Sequence, residues 1–202
     1  MRDYIQNTFY NQQATALPGD IYAAQSSTNT ISALWYDESG AEILRPGMAV
    51  VLVPAASVDV PAGVGKPARA GIDFVALPLP AAADTITQIG IVVRNQAGGS
   101  TRFDGSSNDS NSIINGSMLD VMRVERGAQM YLAAMEGTYT ATGLATVTLG
   151  FAPTGTPGDT GRVTLDDTNF PVKAEVLNTV TITDKNRNSA PIPVRFLSGV
   201  GE

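Results

Sequence analysis

MLDVMRVERGAQMYLAAMEGT, residues 118–138, is the longest nearly unbroken apolar stretch of the chain, and it follows the most polar, glycine-rich loop. Two readings compete for it. As a helix it has Ser117 as N-cap with Asp120 three residues on. Val121, Val124, Ala128, Tyr131, Leu132 and Met135 then share one face, and Gly137 is the stop. As two strands it breaks at the charged corner Glu125-Arg126-Gly127. Leu119 and Val121 then oppose Met122 and Val124 before the corner, and Gln129, Tyr131 and Ala133 oppose Met130 and Leu132 after it. A glycine at 127 in mid-helix costs about 1 kcal/mol relative to alanine. Periodicity therefore leans towards strands, and the rest of the chain leans the same way.

That chain has 202 residues, with 20 Gly, 12 Pro and only 16% charged side chains. Such a turn-rich, weakly charged composition suits an all-β domain better than a helical one. The net charge of −6 argues against a broad electrostatic grip on nucleic acid or on an anionic membrane surface. No apolar run approaches the roughly 20 residues that span a bilayer as a helix. The first residues, MRDYIQNTFYNQQ, contain no hydrophobic signal core, so classical secretion is not expected. Cysteine and histidine are both absent. Thiolate chemistry, disulfides, histidine ligation of metals and every Ser-His-Asp triad are thereby excluded.

Residues 1–30 read as an extended arm: many polar, uncharged side chains (Asn, Gln, Ser, Thr) with apolar anchors at Ile5, Phe9, Tyr10, Leu17, Ile21 and Tyr22, and a turn at Pro18-Gly19. A merely solvating tail has no use for the aromatic anchors, so the arm is expected to order on a neighbouring subunit. Residues 31–202 read as one domain. Strands are expected at 31–36, at 48–54 (MAVVLVP), within 71–77 and at 85–94 (TITQIGIVVR), with Gly90 a bulge or close-approach point. The remainder of 55–85 reads as a surface excursion, and 99–117 as an exposed polar loop ending in an Asn115-Gly116 turn. Further strands follow in TYTATGLATVTLGFA, at 162–165 and within 170–183, where Val172, Ala174 and Val176 share one parity against Lys173 and Glu175. Residues 192–197 close the domain as a strand that Pro191 and Pro193 assign to an edge. Short strands at this regular spacing indicate a compact β-barrel or β-sandwich, jelly-roll-like, behind the arm.

Chemistry is sparse. The oxygen-bearing loop residues Asp104, Asn108, Asp109 and Asn111 miss the EF-hand spacing, and GTPGDTG (155–161) lacks the Lys-Ser/Thr of a phosphate-binding loop and reads as a turn. Asp166 and Asp167 are adjacent, so on a strand they point to opposite faces, and Glu125 and Glu136 read as solvated turn charges. Trp35 and Tyr36 are candidates for a sugar-binding platform, although a lone tryptophan more often belongs to a core or an interface. No catalytic constellation, cofactor site or metal site is expected.

Four segments taken in order carry a resemblance. They are the Leu-Pro-Gly arm LPGDIYAAQSST (17–28), ILRPGMAVV (43–51), ITQIGIVVRN (86–95) and the val-x-val-x-arg-x-Gly hairpin pattern of 118–138. Their succession resembles the structural cement (capsid decoration) proteins of tailed bacteriophages. The correspondence covers about residues 15–140, while the excursion at 55–85 and the loop at 99–117 are longer than the family pattern. The resemblance implies a non-enzymatic virion protein on the outer surface of the phage head. It also implies the major capsid protein as partner and self-association as a homotrimer or homodimer. Phe9, Tyr10, Leu17, Ile21 and Tyr22 in the arm would then be the partner-binding residues. A phage tail, fibre or glycan-binding β module, using Trp35 and the 99–117 loop, is the alternative.

Overall fold

The computed structural model describes residues 18–21, 30–61, 71–81, 88–93, 112–135, 139–165, 169–183 and 191–199. Within them the chain is all-β. The first five strands are β1 (Thr30–Trp35), β2 (Ala49–Pro54), β3 (Phe74–Leu77), β4 (Ile89–Val92) and β5 (Met118–Arg123). After a corner come β6 (Gln129–Leu132), β7 (Tyr139–Ala141), β8 (Thr146–Phe151), β9 (Val163–Thr164), β10 (Val172–Val176), β11 (Val180–Ile182) and β12 (Ile192–Phe196).

Strands β1 to β5 close into a barrel in the order β1-β3-β2-β4-β5. The β1–β3 pair is parallel and the others are antiparallel. Side chains alternate in and out of such a barrel. Ala33 and Trp35, Val50 and Leu52, Ala76, Val92, Leu119 and Val121 form one apolar cluster, one parity from every strand, and so fill the lumen. Gly90 belongs to the same parity. A Cβ there would run into Val121 and lie 2.9 Å from Leu52 Cδ1, so space alone dictates glycine at this position. Arg123 lies over the Phe74 ring, 5.2 Å from its centroid.

The opposite parity of three barrel strands is apolar too. Ala49 and Val51, Ile89 and Ile91, and Met122 join a second cluster with side chains from β6, β8, β10 and β12. Those strands belong to a second sheet, of order β6-β12-β10-β8-β9. The sheet curls until Ala134, just past β6, makes a parallel bridge to Val163 in β9. Met130, Leu132, Phe151, Val172, Ala174 and Phe196 are thereby set against the barrel's outer face. Each large apolar side chain so buried contributes about 1.5–3 kcal/mol relative to exposure. The outer face of β2, β4 and β5 supplies part of the second sheet's core. This double coverage explains why β2 (AVVLVP) and β4 (IGIV) read as continuous apolar runs rather than alternating ones. A third cluster, Leu34, Tyr36, Val60 and Val75, covers the other side of the barrel.

Strands β7 and β11 form a two-stranded sheet that extends the β8–β10 ribbon in unchanged register. The break between them lies at 142–145 opposite 177–179. Leu144 sits there at φ +62°, held by its N–H donating to Val176 O at 2.7 Å.

The described part of this stretch, 118–135, holds two strands, with the faces the alternation predicts. Leu119 and Val121 point into the lumen, and Met122, Val124, Met130 and Leu132 into the shared core. They are not a hairpin. Strand β5 pairs with β1 and β4, whereas β6 pairs with β12. The corner explains the separation: Val124 N–H donates to Ile89 O of the barrel, and Gly127 N–H to Phe196 O of the second sheet. Gly127 has φ +92°, which a helix interior does not accept.

Three further expectations need correction. Strand β12 is interior, between β6 and β10, despite its prolines. Pro193 is tolerated because β10 ends at Val176, leaving Pro193 to accept a bond from Leu177 N–H, while its partner across β6, Tyr131, turns its backbone groups outwards. The 55–85 segment is only partly a surface excursion, because Val60 and Leu79 are buried. The end of the 99–117 loop is part of the barrel, with Ile113 buried and bridged to Leu44. Residues 62–70, 82–87 and 99–111 lie outside the described residues.

Candidate interaction surface

In a curled sheet the exposed strand edge is where another segment can add, because its N–H and C=O groups point outwards without a ladder. Strand β6 lies at such an edge, and part of the arm already occupies it. Gly19 N–H donates to Tyr131 O at 2.7 Å, and Tyr131 N–H donates to Asp20 O at 3.0 Å. Ile21 makes an antiparallel bridge to Met130 and packs against the shared core. Pro18 and Gly19 are buried. Residues 18–21 thus form a strap across the edge.

The strap's seat is shaped by Gly47. This residue has φ +83°, and a Cβ on it would lie 2.7 Å from Pro18 Cβ and 2.9 Å from the Ala133 nitrogen. Its carbonyl accepts from Ala133 N–H at 2.9 Å, which fixes the end of β6 against the start of β2. Pro46-Gly47 is a turn signal in the sequence, but nothing in its spacing announces that the arm rests on it.

Behind the seat lies a buried cation. Arg162 is 1% exposed; its Nε donates to Gly158 O at 2.7 Å and its Nη1 to Ala134 O at 2.8 Å. Asp159 Oδ1 is 3.5 Å from Nε. The GTPGDTG segment is a turn, as its glycines predict, and Arg162 clamps it to the residues following β6. Gly161 packs onto Ala49, whose N–H donates to Gly161 O at 2.7 Å.

At the far end of β1 a polar clasp closes the 37–42 turn. The Asp37 carboxylate accepts from Ser39 N–H at 3.0 Å and Glu42 N–H at 2.8 Å. Asn115 exchanges two bonds with the Asp37 backbone, at 3.0 and 2.7 Å. Burial raises the pKa of Glu42 above the ordinary value. The charges of Asp37 and Asp159 add to that rise, and the Thr160 hydroxyl opposes it. Glu42 Oε2 and Thr160 Oγ1 are both buried without a partner in hydrogen-bonding geometry.

Of the five arm residues expected to bind a partner, Ile21 is seated on the chain's own β6. Phe9, Tyr10, Leu17 and Tyr22 lie outside the described residues. Asp104, Asn108, Asp109, Asn111, Glu136, Asp166 and Asp167 lie outside them too. Trp35 is 1% exposed inside the barrel and presents no platform. Glu125 is exposed at the corner, 3.9 Å from Arg123. Among the described residues no three acidic side chains converge on a point that could hold a metal ion. The chain matches no protein-family model and no curated protein sequence.

Proposed function

We propose that this chain is a non-enzymatic structural protein of a tailed-phage virion. It binds the outer surface of the assembled head and bridges major capsid protein subunits, as a homotrimer or homodimer. The observation that carries the reading is the strap. A Leu-Pro-Gly arm is anchored at residues 18–21 on the β6 edge, which gives the arm one fixed point on the domain. Fixing one end of a contact arm lowers the entropy lost when the rest of it orders on a partner. The order of segments shared with the cement proteins supports the same assignment, and so does the net charge of −6, which does not suit a grip on packaged DNA. The glycan-binding alternative loses its aromatic platform with Trp35 in the barrel.

The test is the copy number in purified virions, by quantitative mass spectrometry against the major capsid protein. A ratio near one per capsid subunit, or a simple fraction such as a third, is expected. A few copies per particle would move the chain to the tail or a vertex, and complete absence would refute a virion role. Deleting residues 2–17 while keeping the strap then tests the arm. Unchanged affinity for undecorated heads would remove it from the contact.

A further inference from the structure

The seat on β6 recognises a short segment by means that do not depend on which chain supplies it. Its walls are Gly47, Met130, Tyr131 and Ala133. None is a sequence neighbour of the strap. The strap brings two backbone hydrogen bonds, a buried Pro18-Gly19 pair and the Ile21 side chain. Eight residues, 22–29, separate Ile21 from β1. Fully extended they span about 28 Å. That length is the upper limit on how far the strap can lie from β1.

We infer that the β6 seat also accepts residues 18–21 of a second copy of this chain, giving arm-exchanged oligomers. Every copy brings one strap and one seat, so exchange conserves all strap contacts and leaves no edge open. Because the contacts are the same within and between chains, the tether decides the balance. A segment joined through a short linker is held at an effective concentration on the order of millimolar. Dilute chains keep their own strap; chains packed at a comparable local concentration trade it. The exchange itself rests on the fold, and only its use on a crowded repeating surface rests on the head-binding reading above.

The chain contains no cysteine, so introduced thiols are the only ones present. Ile21 and Met130 are direct cross-strand partners, so cysteines at these two positions suit a disulfide. The full-length double variant I21C/M130C should oxidise within one chain, and its failure to do so would refute the seat as described. For exchange, an unlabelled I21C chain and a 15N-labelled M130C chain are mixed, unfolded and refolded together. The mixtures run from about micromolar to about millimolar, to bracket the effective concentration of the tether. After oxidation and digestion, mass spectrometry should find the 21–130 cross-link joining labelled to unlabelled peptide, rising with concentration. No such cross-link at the highest concentration, alongside efficient closure in the double variant, overturns the proposal. If M130C fails to fold, the half-buried pair D20C and Y131C at the rim of the seat gives the same readout. Capsids are not involved, so this experiment and the copy-number measurement fail independently.

Discussion

Arg162→Met removes the guanidinium that clamps the 155–162 turn to the end of β6. The Gly158 and Ala134 carbonyls, now served at 2.7 and 2.8 Å, lose their charged donor. An orphaned buried acceptor costs about 1–3 kcal/mol. Asp159 loses a cation at 3.5 Å, but its side chain is 14% exposed, so water replaces part of that interaction. Breaking a buried charged contact from one side costs about 3–5 kcal/mol when nothing rehydrates the remaining partner. Partial exposure of Asp159 puts the expectation at the lower end, about 3 kcal/mol. For a chain of 202 residues that is a fall in Tm of about 6–12 °C.

The assay is urea unfolding followed by the fluorescence of the lone tryptophan, Trp35, with the slope m checked for constancy so that a shifted midpoint reports stability alone. Arg162→Lys should recover only part of the loss. An ammonium keeps the charge but lacks the planar fork that serves two carbonyls at once. A loss below about 1 kcal/mol for the methionine variant, or a lysine variant as stable as wild type, would show that the clamp is not what holds the turn.

Glu42 gives a pH prediction whose sign is fixed by its raised pKa. The folded state binds the proton more tightly, so the associated stability is fully present below the unfolded value of about 4.5 and is lost as pH rises through the folded value. Glu42→Gln should therefore unfold at higher urea than wild type at neutral pH and show a flatter profile across that window; an unchanged profile would refute the assignment. Gly90→Val should cost at least about 1–3 kcal/mol by overpacking the lumen against Val121 and Leu52, read as a lower urea midpoint. Trp35→Ala should cost about 3–5 kcal/mol, and native Trp35 emission should be blue-shifted and move red on unfolding; a solvent-like native spectrum would contradict its burial. The Gly19 and Tyr131 amides should be slowed in hydrogen exchange by their strap bonds, and Arg162→Met should speed both more than it speeds the barrel amide of Trp35, which donates to Ser117 O.

Much of this fold was legible because burial writes itself into side-chain pattern. The 118–138 stretch gave its break and both faces. The even positions of 172–176 gave the inward row of β10, and Gly90 gave a close approach. Pairing was not legible there. Val124 and Gly127 commit their N–H groups to different sheets, and nothing in VERGA distinguishes that corner from a hairpin turn. The edge assignment of β12 failed for a related reason. A proline excludes a residue from a ladder only where its N–H is needed, and the end of β10 at Val176 removes that need. The arm was visible as a segment with anchors, but Ile21 carries no mark that separates an anchor for a neighbour from one for its own chain. Arg162 was invisible, since a buried arginine and a surface one look alike in a turn of small residues.

The start of β2 ties these elements together. Within three residues, Gly47 receives Pro18 of the strap and Ala133 of the β6 end, Met48 is wholly buried, and Ala49 donates to Gly161 of the clamped turn. Gly47 and Gly161 both have positive φ and both lack room for a side chain, so each segment approaches β2 backbone to backbone. Close-packed backbones at one point transmit displacement, because neither side has a flexible side chain to absorb it. Arg162 holds the Ala134 carbonyl on one side of this joint, and the strap lies on the other. Loosening the clamp therefore acts on the seat through the Ala134 carbonyl, and on the barrel through Met48 and Ala133, whose side chains belong to the lumen cluster. The strap itself is held at β6 by two backbone bonds, both to Tyr131, and by the Ile21 bridge to Met130, so exchanging it exchanges contacts to β6.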